Sequence, residues 1–502
     1  MPLTAEQALV VTRRLHADVL SRRGDAQNRE DYYKGKQSLK YASEKWREYH
    51  GQRYAGFADN WCAPVANTPN ERLRIEGFRL DDAPEQSGDE KLLWKDWQLN
   101  DMEAQSSQGF LHGIITDRSF VKVWGTRDNE PIVTWERSDQ MTIEYDPANP
   151  RDARYDLKTY VDGDTEFATL TTKDQVWKWR RPVLPMLGGK DGPASGSFFL
   201  PAGVNIGSDT YGWAPYQPDD DDTWPITNPM GVVSAVEMPN RPLLGRGPIS
   251  DIKGTMAMQD AINLLWAYLF TQADFAGMPA RVVMGQEPPK IPILDETGQK
   301  VGEREVPLKK LSEDRILWLT GEKARVDQWD AAKLDMFTTV IEIAVTHIAA
   351  QTSTPATRLV LGQGMVNVSA DGMRAAETGQ VMKVREMHLF LTPPARGIFQ
   401  RFALVRGKTA LSDACKLGTV GWRDPENHSE AQRVDALQKL DAIGFPFAWI
   451  AERYGLSPAD VARVLDMKKK EMEDDPMAAM VANMPAAPAG GVPEAPVRPP
   501  AE

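Results

Sequence analysis

The sequence predicts a mixed α+β chain in which helices and an antiparallel β region occur in blocks. Three observations predict it. Apolar residues recur at helical spacing over several long stretches. A cluster of short runs rich in β-branched and aromatic residues lies between Ser119 and Trp179. Strand–helix units do not repeat along the chain. The last point argues against a doubly wound nucleotide-binding enzyme, which needs successive parallel βα units.

The elements follow in order. Thr4 and Gln7 form a capping box, so a first helix is expected to about Arg23. A second helix is expected over Ser43–Tyr49. RLRIEGFR (72–79) fits either a strand or a helix end. Leu92–His112 reads as one helix, with Leu93, Trp97, Leu99 and Met102 on its apolar positions. The runs SFVKVW, PIVTWE, MTIEY, KTYV, EFATL and QVWKW then predict antiparallel strands, separated by turns such as Asp162-Gly163-Asp164. The stretch 188–222, rich in Gly, Pro, Ser and Asp and ending in DDDD, predicts a solvated loop.

Beyond Ser250 the period turns helical. Asp251–Phe275 and Ala331–Gln351 are expected as long helices that bracket a small β module, with strands at 280–285 and 315–319. Ser369 is a candidate N-cap for a third long helix, from Ala370 to about Leu391, which Pro393 and Pro394 should break or kink. Residues 418–423 suit a short strand. Ser429 with Gln432, and Ser457 with Pro458, cap two more helices, and the Ala- and Pro-rich stretch from Pro476 reads as a disordered tail.

Composition narrows the function. The 502 residues carry 59 Lys and Arg against 71 Asp and Glu, a formal charge of −12. That argues against a broad basic face for gripping nucleic acid, which rests on cations neutralising phosphates. It leaves room for contact with DNA that stays mobile. Cys62 and Cys415 are too few for a disulfide framework or a four-thiolate zinc site and are expected as buried free thiols. No signal peptide is expected at the N-terminus, and the most apolar stretch, 261–270, is about half the length of a membrane span.

Catalytic signatures fail one after another. Gly189-Lys190 lacks the preceding glycine (Leu184) and the following Ser or Thr (Asp191) of a phosphate-binding loop. Gly362-x-Gly364, in the polar segment QTSTPATRLVLGQGMVNVSA (351–370), lacks a third glycine. The six histidines are scattered singly, and no Gly-x-Ser-x-Gly elbow occurs. No catalytic residue, metal ligand or cofactor is nominated, and the chain is expected not to be an enzyme.

Three segments carry a resemblance. GRGPISDIKGTMAMQDAINLLWAYLFTQADFAGMPARVVMG, IAAQTSTPATRLVLG followed by NVSADGMRAAETGQVMKVRE, and GWRDPENHSEAQRVDALQKL occur in the order and spacing of a known family. Together they cover roughly 235–470. The chain resembles the portal proteins of tailed bacteriophages, in the Gp6-like group from phages with long non-contractile tails.

That resemblance implies a portal fold assembled as a ring, usually a dodecamer, at one capsid vertex, through which double-stranded DNA is packaged and ejected. It implies a wing over 1–240, a first stem helix over 241–276, a clip over 277–328 and a second stem helix over 329–350. A tunnel loop over 351–368, a long wing helix with its following segment over 369–425, a crown over 426–473 and a tail over 474–502 complete the map. Implied partners are the terminase large subunit, then a head–tail adaptor, with major capsid and scaffolding proteins, and no membrane. Site candidates are Gln351, Thr352, Ser353, Thr354, Arg358, Gln363 and Asn367 facing DNA in the tunnel loop. Asp260, Asp335 and Glu342 are candidates for the channel wall, where like charge would let DNA slide. Arg281, Lys290, Lys309 and Lys310 are candidates for the clip contact. The wide apolar faces of both stem helices would then pack against neighbouring subunits. A different head–tail connector ring, or a metal-dependent DNA-processing enzyme using Asp-rich loops, are the alternatives.

Overall fold

The structure, a computed structural model, describes residues 2–39, 57–81, 86–183, 212–217, 223–277, 281–284, 290–294, 298–305, 316–319, 334–359, 370–426, 430–456 and 458–474. The expected helix at 43–49, the caps Ser369, Ser429 and Ser457, and the tail from Pro476 lie outside these residues.

Helix α1 (Ala5–Tyr33) starts at the predicted box, with the Thr4 hydroxyl accepting from the Gln7 amide and the Gln7 side chain accepting from the Thr4 amide. It does not stop near Arg23. It runs through Gly24 because Ala26, Arg29, Glu30 and Tyr32 continue its buried side. A short α2 (Cys62–Asn70) follows, then β1 (Ile75–Arg79). The ambiguous 72–79 segment is thus a strand, and its partner lies far along the chain.

The single helix expected over 92–112 is two. α3 (Gly88–Leu99) and α4 (Met102–Thr116) are separated at Asn100-Asp101, where Asp101 takes a left-handed conformation at φ 51°. Asn100 holds the corner: its amide donates to Asp96 O and Pro131 O, and its carbonyl oxygen accepts from the Val133 amide.

The predicted strands all form. They are β2 (Arg118–Gly125), β3 (Pro131–Glu136), β4 (Met141–Asp146), β5 (Asn149–Asp162), β6 (Thr165–Thr171) and β7 (Gln175–Pro182), with short β8 (Ala214–Pro215), β9 (Ile226–Thr227) and β10 (Ala235–Pro239) after them. One antiparallel sheet has the order β10-β2-β3. A second runs β4-β5-β6-β7-β8, with β9 also on β7. Part of the stretch expected as a solvated loop is packed: Trp213 is buried with Leu157, Leu170, Trp177 and Trp179 under α1. Lys122 ties the two sheets together, donating to Asp156, Thr171 and Ser234.

Next comes α5 (Met256–Gly277). Residues 251–255, expected in this helix, form turns before it. Strands β11 (Arg281–Met284) and β14 (Ile316–Leu319) pair in parallel, and β12 (Lys290–Leu294) with β13 (Lys300–Glu305) makes an unforeseen hairpin between them. Then follow α6 (Asp335–Thr352), the single turn α7 (Ala356–Leu359) and α8 (Ala370–Val405). The expected break at Pro393-Pro394 does not occur. Val384, Met387, Leu391, Ala395, Ile398 and Phe402 form one buried stripe across the prolines, so packing outweighs the lost helical hydrogen bonds.

The chain closes with α9 (Thr409–Cys415), β15 (Thr419–Trp422), α10 (Glu430–Ala442), α11 (Phe447–Tyr454) and α12 (Pro458–Asp474). β15 pairs antiparallel with β1. The main core gathers α2, α3, α4, β2, α8 and the inner faces of α5 and α6. Phe399 of α8 stacks on Phe78 of β1 and on Trp97 of α3 at its centre. Cys62 and Cys415 are buried and free, and burial raises both thiols, Cys62 to about 11. No helix among the described residues is long and apolar enough to cross a membrane.

Candidate functional site

The candidate site is the helix pair α5–α6 and the segment after it. Both helices join the main core on one side, through Ile262 from α5 and Ile341, Ala344, Val345, Ile348 and Ala349 from α6. At about 100° per residue the rest of α6 divides into two further faces. Asp335, Thr339, Glu342 and Thr346 are exposed and share one stripe. The Thr339 and Thr346 hydroxyls fold back onto Asp335 O and Glu342 O, which leaves the two carboxylates as the outward polar groups. Met336, Val340 and Ile343 are 67%, 48% and 51% exposed and share the adjacent stripe with His347. Three large apolar side chains in register are a contiguous unburied surface, of a kind that marks contact with another molecule.

Asp335 and Glu342 are therefore placed in solvent, as their candidacy requires. Asp260 is not. It is 4% exposed, and the Tyr32 hydroxyl donates to its carboxylate at 2.7–2.8 Å. Its neighbours on α5 are also turned inward. Gln259 accepts from the Trp61 amide, Asn263 accepts from the Asp59 amide, and the Trp266 indole donates to Asp59. This polar face of α5 is spent on fixing the chain at 59–61. Asp251 is likewise buried. Its carboxylate lies 2.6 Å from Lys383 Nζ on α8 and takes the Asn240 amide at 3.0 Å.

The tunnel-loop candidates separate in the same way. Gln351, Ser353 and Arg358 are exposed. Thr352 and Thr354 are buried, with their hydroxyls 2.8 Å apart and Thr352 donating to Ile348 O, so these two close the end of α6 and do not face outward. Ser353 takes a left-handed conformation that ends the helix. Lys383 Nζ donates to Thr352 O at 3.0 Å, placing a cation against the negative end of α6. Arg358 pairs within the chain with Glu71, at 3.5 Å. Gln363 and Asn367 lie outside the described residues, as do Lys309 and Lys310. Arg281 and Lys290 open strands β11 and β12.

Sequence reasoning missed Lys383, Glu71 and Glu377, whose roles come from contacts between distant segments. It also did not separate the Met336/Val340/Ile343 stripe from the buried stripe beside it. Their i, i+4, i+7 spacing was the available signal. Among the described residues, no group of three or more His, Cys, Asp or Glu side chains is placed to hold a metal ion.

The comparisons agree with one another. Residues 13–445 match the family described as "Phage portal protein, SPP1 Gp6-like". The chain is 27% identical over 423 residues to the portal protein of Mycobacterium phage L5, covering 80% of this chain and 75% of that one. It is 28% identical over 392 residues to the portal protein of Mycobacterium phage D29, covering 74% and 70%. The match spans the N-terminal sheets, the α5–α6 pair and α8 together, and the chain belongs to the SPP1 Gp6-like family of phage portal proteins.

Proposed function

We propose that copies of this chain assemble into a ring at one vertex of a phage capsid, usually twelve in number, and that double-stranded DNA enters and leaves through its centre. The observation that carries this reading is the division of α6 into three faces: one buried in its own subunit, one apolar and bare, one acidic and bare. In a ring the apolar stripe packs on the neighbouring subunit. The acidic stripe, with Asp335 and Glu342, then lines the channel and repels phosphate, so the duplex slides without the adhesive contacts that several cations per subunit would make.

In this reading residues 1–240 form the wing, 241–276 and 329–350 the stem helices, 277–328 the clip, 351–368 the tunnel loop and 426–473 the crown. The segment 369–425 returns the chain to the wing, a reading supported by the packing of α8 on β2 and β10. The clip, with Arg281, Lys290, Lys309 and Lys310, docks the terminase large subunit and then a head–tail adaptor. Capsid and scaffolding proteins meet the outer rim. Gln351, Ser353, Arg358, Gln363 and Asn367 are the tunnel-loop residues offered to DNA.

Electron microscopy of the purified protein tests the ring. Rings with a central hole are expected for the wild type, and folded monomers for Val340→Asp. Monomers from the wild type, or rings from Val340→Asp, would overturn the assignment of the apolar stripe. Asp335→Lys with Glu342→Lys is expected to leave rings intact and slow DNA packaging, and unchanged packaging would count against the acidic wall.

A further inference from the structure

A cleft of about 850 Å³ opens where the two sheets meet α8, and no residue of α5 or α6 lines it. One side is β10, the edge strand of its sheet, with the residues just before it. Another is Tyr145 and the start of β5. α8 contributes Pro393, Pro394, Gly397 and Arg401. The volume is in the range of pockets that enclose a ligand.

The cleft is basic although the chain is acidic. Arg151, Lys173, Arg396, Arg401 and Lys416 line it against two carboxylates, Asp152 and Glu237, whereas the whole chain has 59 Lys and Arg against 71 Asp and Glu. Both carboxylates are already covered. Lys173 Nζ lies 2.7 Å from Asp152. Glu237 accepts from Arg118 at 2.8 Å and from the Tyr145 hydroxyl at 3.0 Å. Arg151 and Arg396 have no carboxylate partner among the described residues, and Arg396 Nε donates to Gly418 O. Arg401 is buried, and three of its five N–H groups meet the backbone carbonyls of Val233, Ala235 and Gly397. Burial lowers its pKa to about 10 against the pull of Asp156, so its charge is only partly compensated. Lys416 pairs with Asp413 at 2.8 Å, but both are more than half exposed, so that pair is weak and exchangeable. The cleft therefore favours an anionic occupant.

The rest of the lining separates peptide from nucleic acid. Val232, Val236, Pro239, Pro393 and Pro394 share it with the cations. An extended peptide with alternating acidic and apolar residues presents both kinds of surface at once, because successive side chains point to opposite sides. A single-stranded nucleic acid uses aromatic rings as platforms for its bases. Among the lining residues Tyr145 is the one such ring, and its hydroxyl is held by Glu237.

We propose that this cleft docks an extended acidic segment of a partner protein. Its carboxylates meet Arg151, Arg396 and Lys416, with the charge of Arg401 behind them, and its apolar side chains lie against Val236 and the two prolines of α8. The cleft is formed within one subunit, so the inference does not rest on the ring.

Fluorescence anisotropy on the full-length protein tests it, with a short labelled peptide of alternating aspartate and valine as the probe. The peptide is expected to bind, and to bind more weakly as salt rises. A lysine–valine peptide of the same length should not bind. Arg151→Glu with Lys416→Glu should weaken binding about ten-fold, because two attractive contacts become repulsive. Both residues are exposed, so the core is untouched. Lys91→Glu, an exposed reversal outside the cleft, should leave affinity unchanged. A photoreactive group in the peptide should label 231–239 and 393–401, a readout that needs no variant. Absence of binding, equal affinity in the double variant, or labelling elsewhere would overturn the cleft as a peptide site. Tighter binding of a single-stranded oligonucleotide, weakened by the same double variant, would assign the cleft to nucleic acid instead. Loss of self-association in the double variant, with no peptide bound by the wild type, would assign it to a second copy of the chain. Absence of rings would sink the portal reading and leave the peptide measurements as they stand.

Discussion

Replacing Lys383 with methionine should loosen the junction of α5, α6 and α8 more than any surface charge change. Lys383 Nζ is 2.6 Å from Asp251, whose side chain is fully buried, and 3.0 Å from Thr352 O. Breaking one side of a buried ion pair costs about 3–5 kcal/mol, mostly because the remaining charge is left without compensation. Here the cost should fall near the lower end. The Asn240 amide still donates to Asp251, and Arg241 stands 3.5 Å away on the exposed side. About 3 kcal/mol corresponds to a fall of roughly a hundred-fold in hydrogen-exchange protection over the last turn of α6. The double variant Lys383→Met/Asp251→Asn removes both charges and should recover more than half of that loss, since no lone buried charge remains. Exchange measured amide by amide across 345–352 gives the comparison. If Lys383→Met leaves protection unchanged, or if the double variant is as damaged as the single, the ion pair does not hold this junction.

Three further outcomes are expected. Gly109→Ala would place its new carbon within van der Waals overlap of Trp135, so urea midpoints should show a loss of about 1–3 kcal/mol, partly recovered by adding Trp135→Leu. Arg401→Met removes donors to Val233 O, Ala235 O and Gly397 O in a buried setting, and a loss of about 3 kcal/mol is expected, smaller for Arg401→Lys. Burial, with Arg137 nearby, lowers the His112 imidazole to about 4, and its Nε2 accepts from the Ser138 amide. The folded state therefore resists protonation. The stability from this site is full above about pH 6.5 and falls by up to about 1.4 kcal/mol per pH unit as pH drops from 6.5 towards 4. Thermal melts of His112→Gln should be flatter over that window than those of the wild type.

The local pattern of the chain was legible where one physical signal decided it. The strands from β2 to β7 announce themselves by alternation and by turn residues, and the Thr4 box marks the first helix start. The misreadings share a cause. Asn100-Asp101 breaks a helix with neither Gly nor Pro, because Asn100 finds partners on β3 that sequence does not reveal. Pro393-Pro394 fail to break one, because the buried stripe of α8 continues on both sides. At the candidate site, Asp335 and Glu342 are exposed on α6, which helical periodicity alone did not decide. Asp260 and Asp251 look equally polar in sequence and are buried, since their partners Tyr32 and Lys383 come from elements far away, while Thr352 and Thr354 are buried where they close the end of α6. A carboxylate's type is read from sequence; its surroundings are set by the fold.

The pairing of β1 with β15 has a consequence for how the protein is made. Among the described residues β15 is the strand beside β1, and Arg72, just before β1, is fixed to Pro425, 353 residues later. At about 5–20 residues per second on the ribosome, the N-terminal region waits roughly 20–70 s for the segment that completes it. During that time β1 has a bare edge, and Phe78 lacks Phe399 to cover it. A nascent chain in that state is a candidate for chaperone binding, and it should not join other subunits before its synthesis has passed Trp422. For the ring proposed above, this order of translation means that the monomer's own β1–β15 pairing has to form before a subunit is complete.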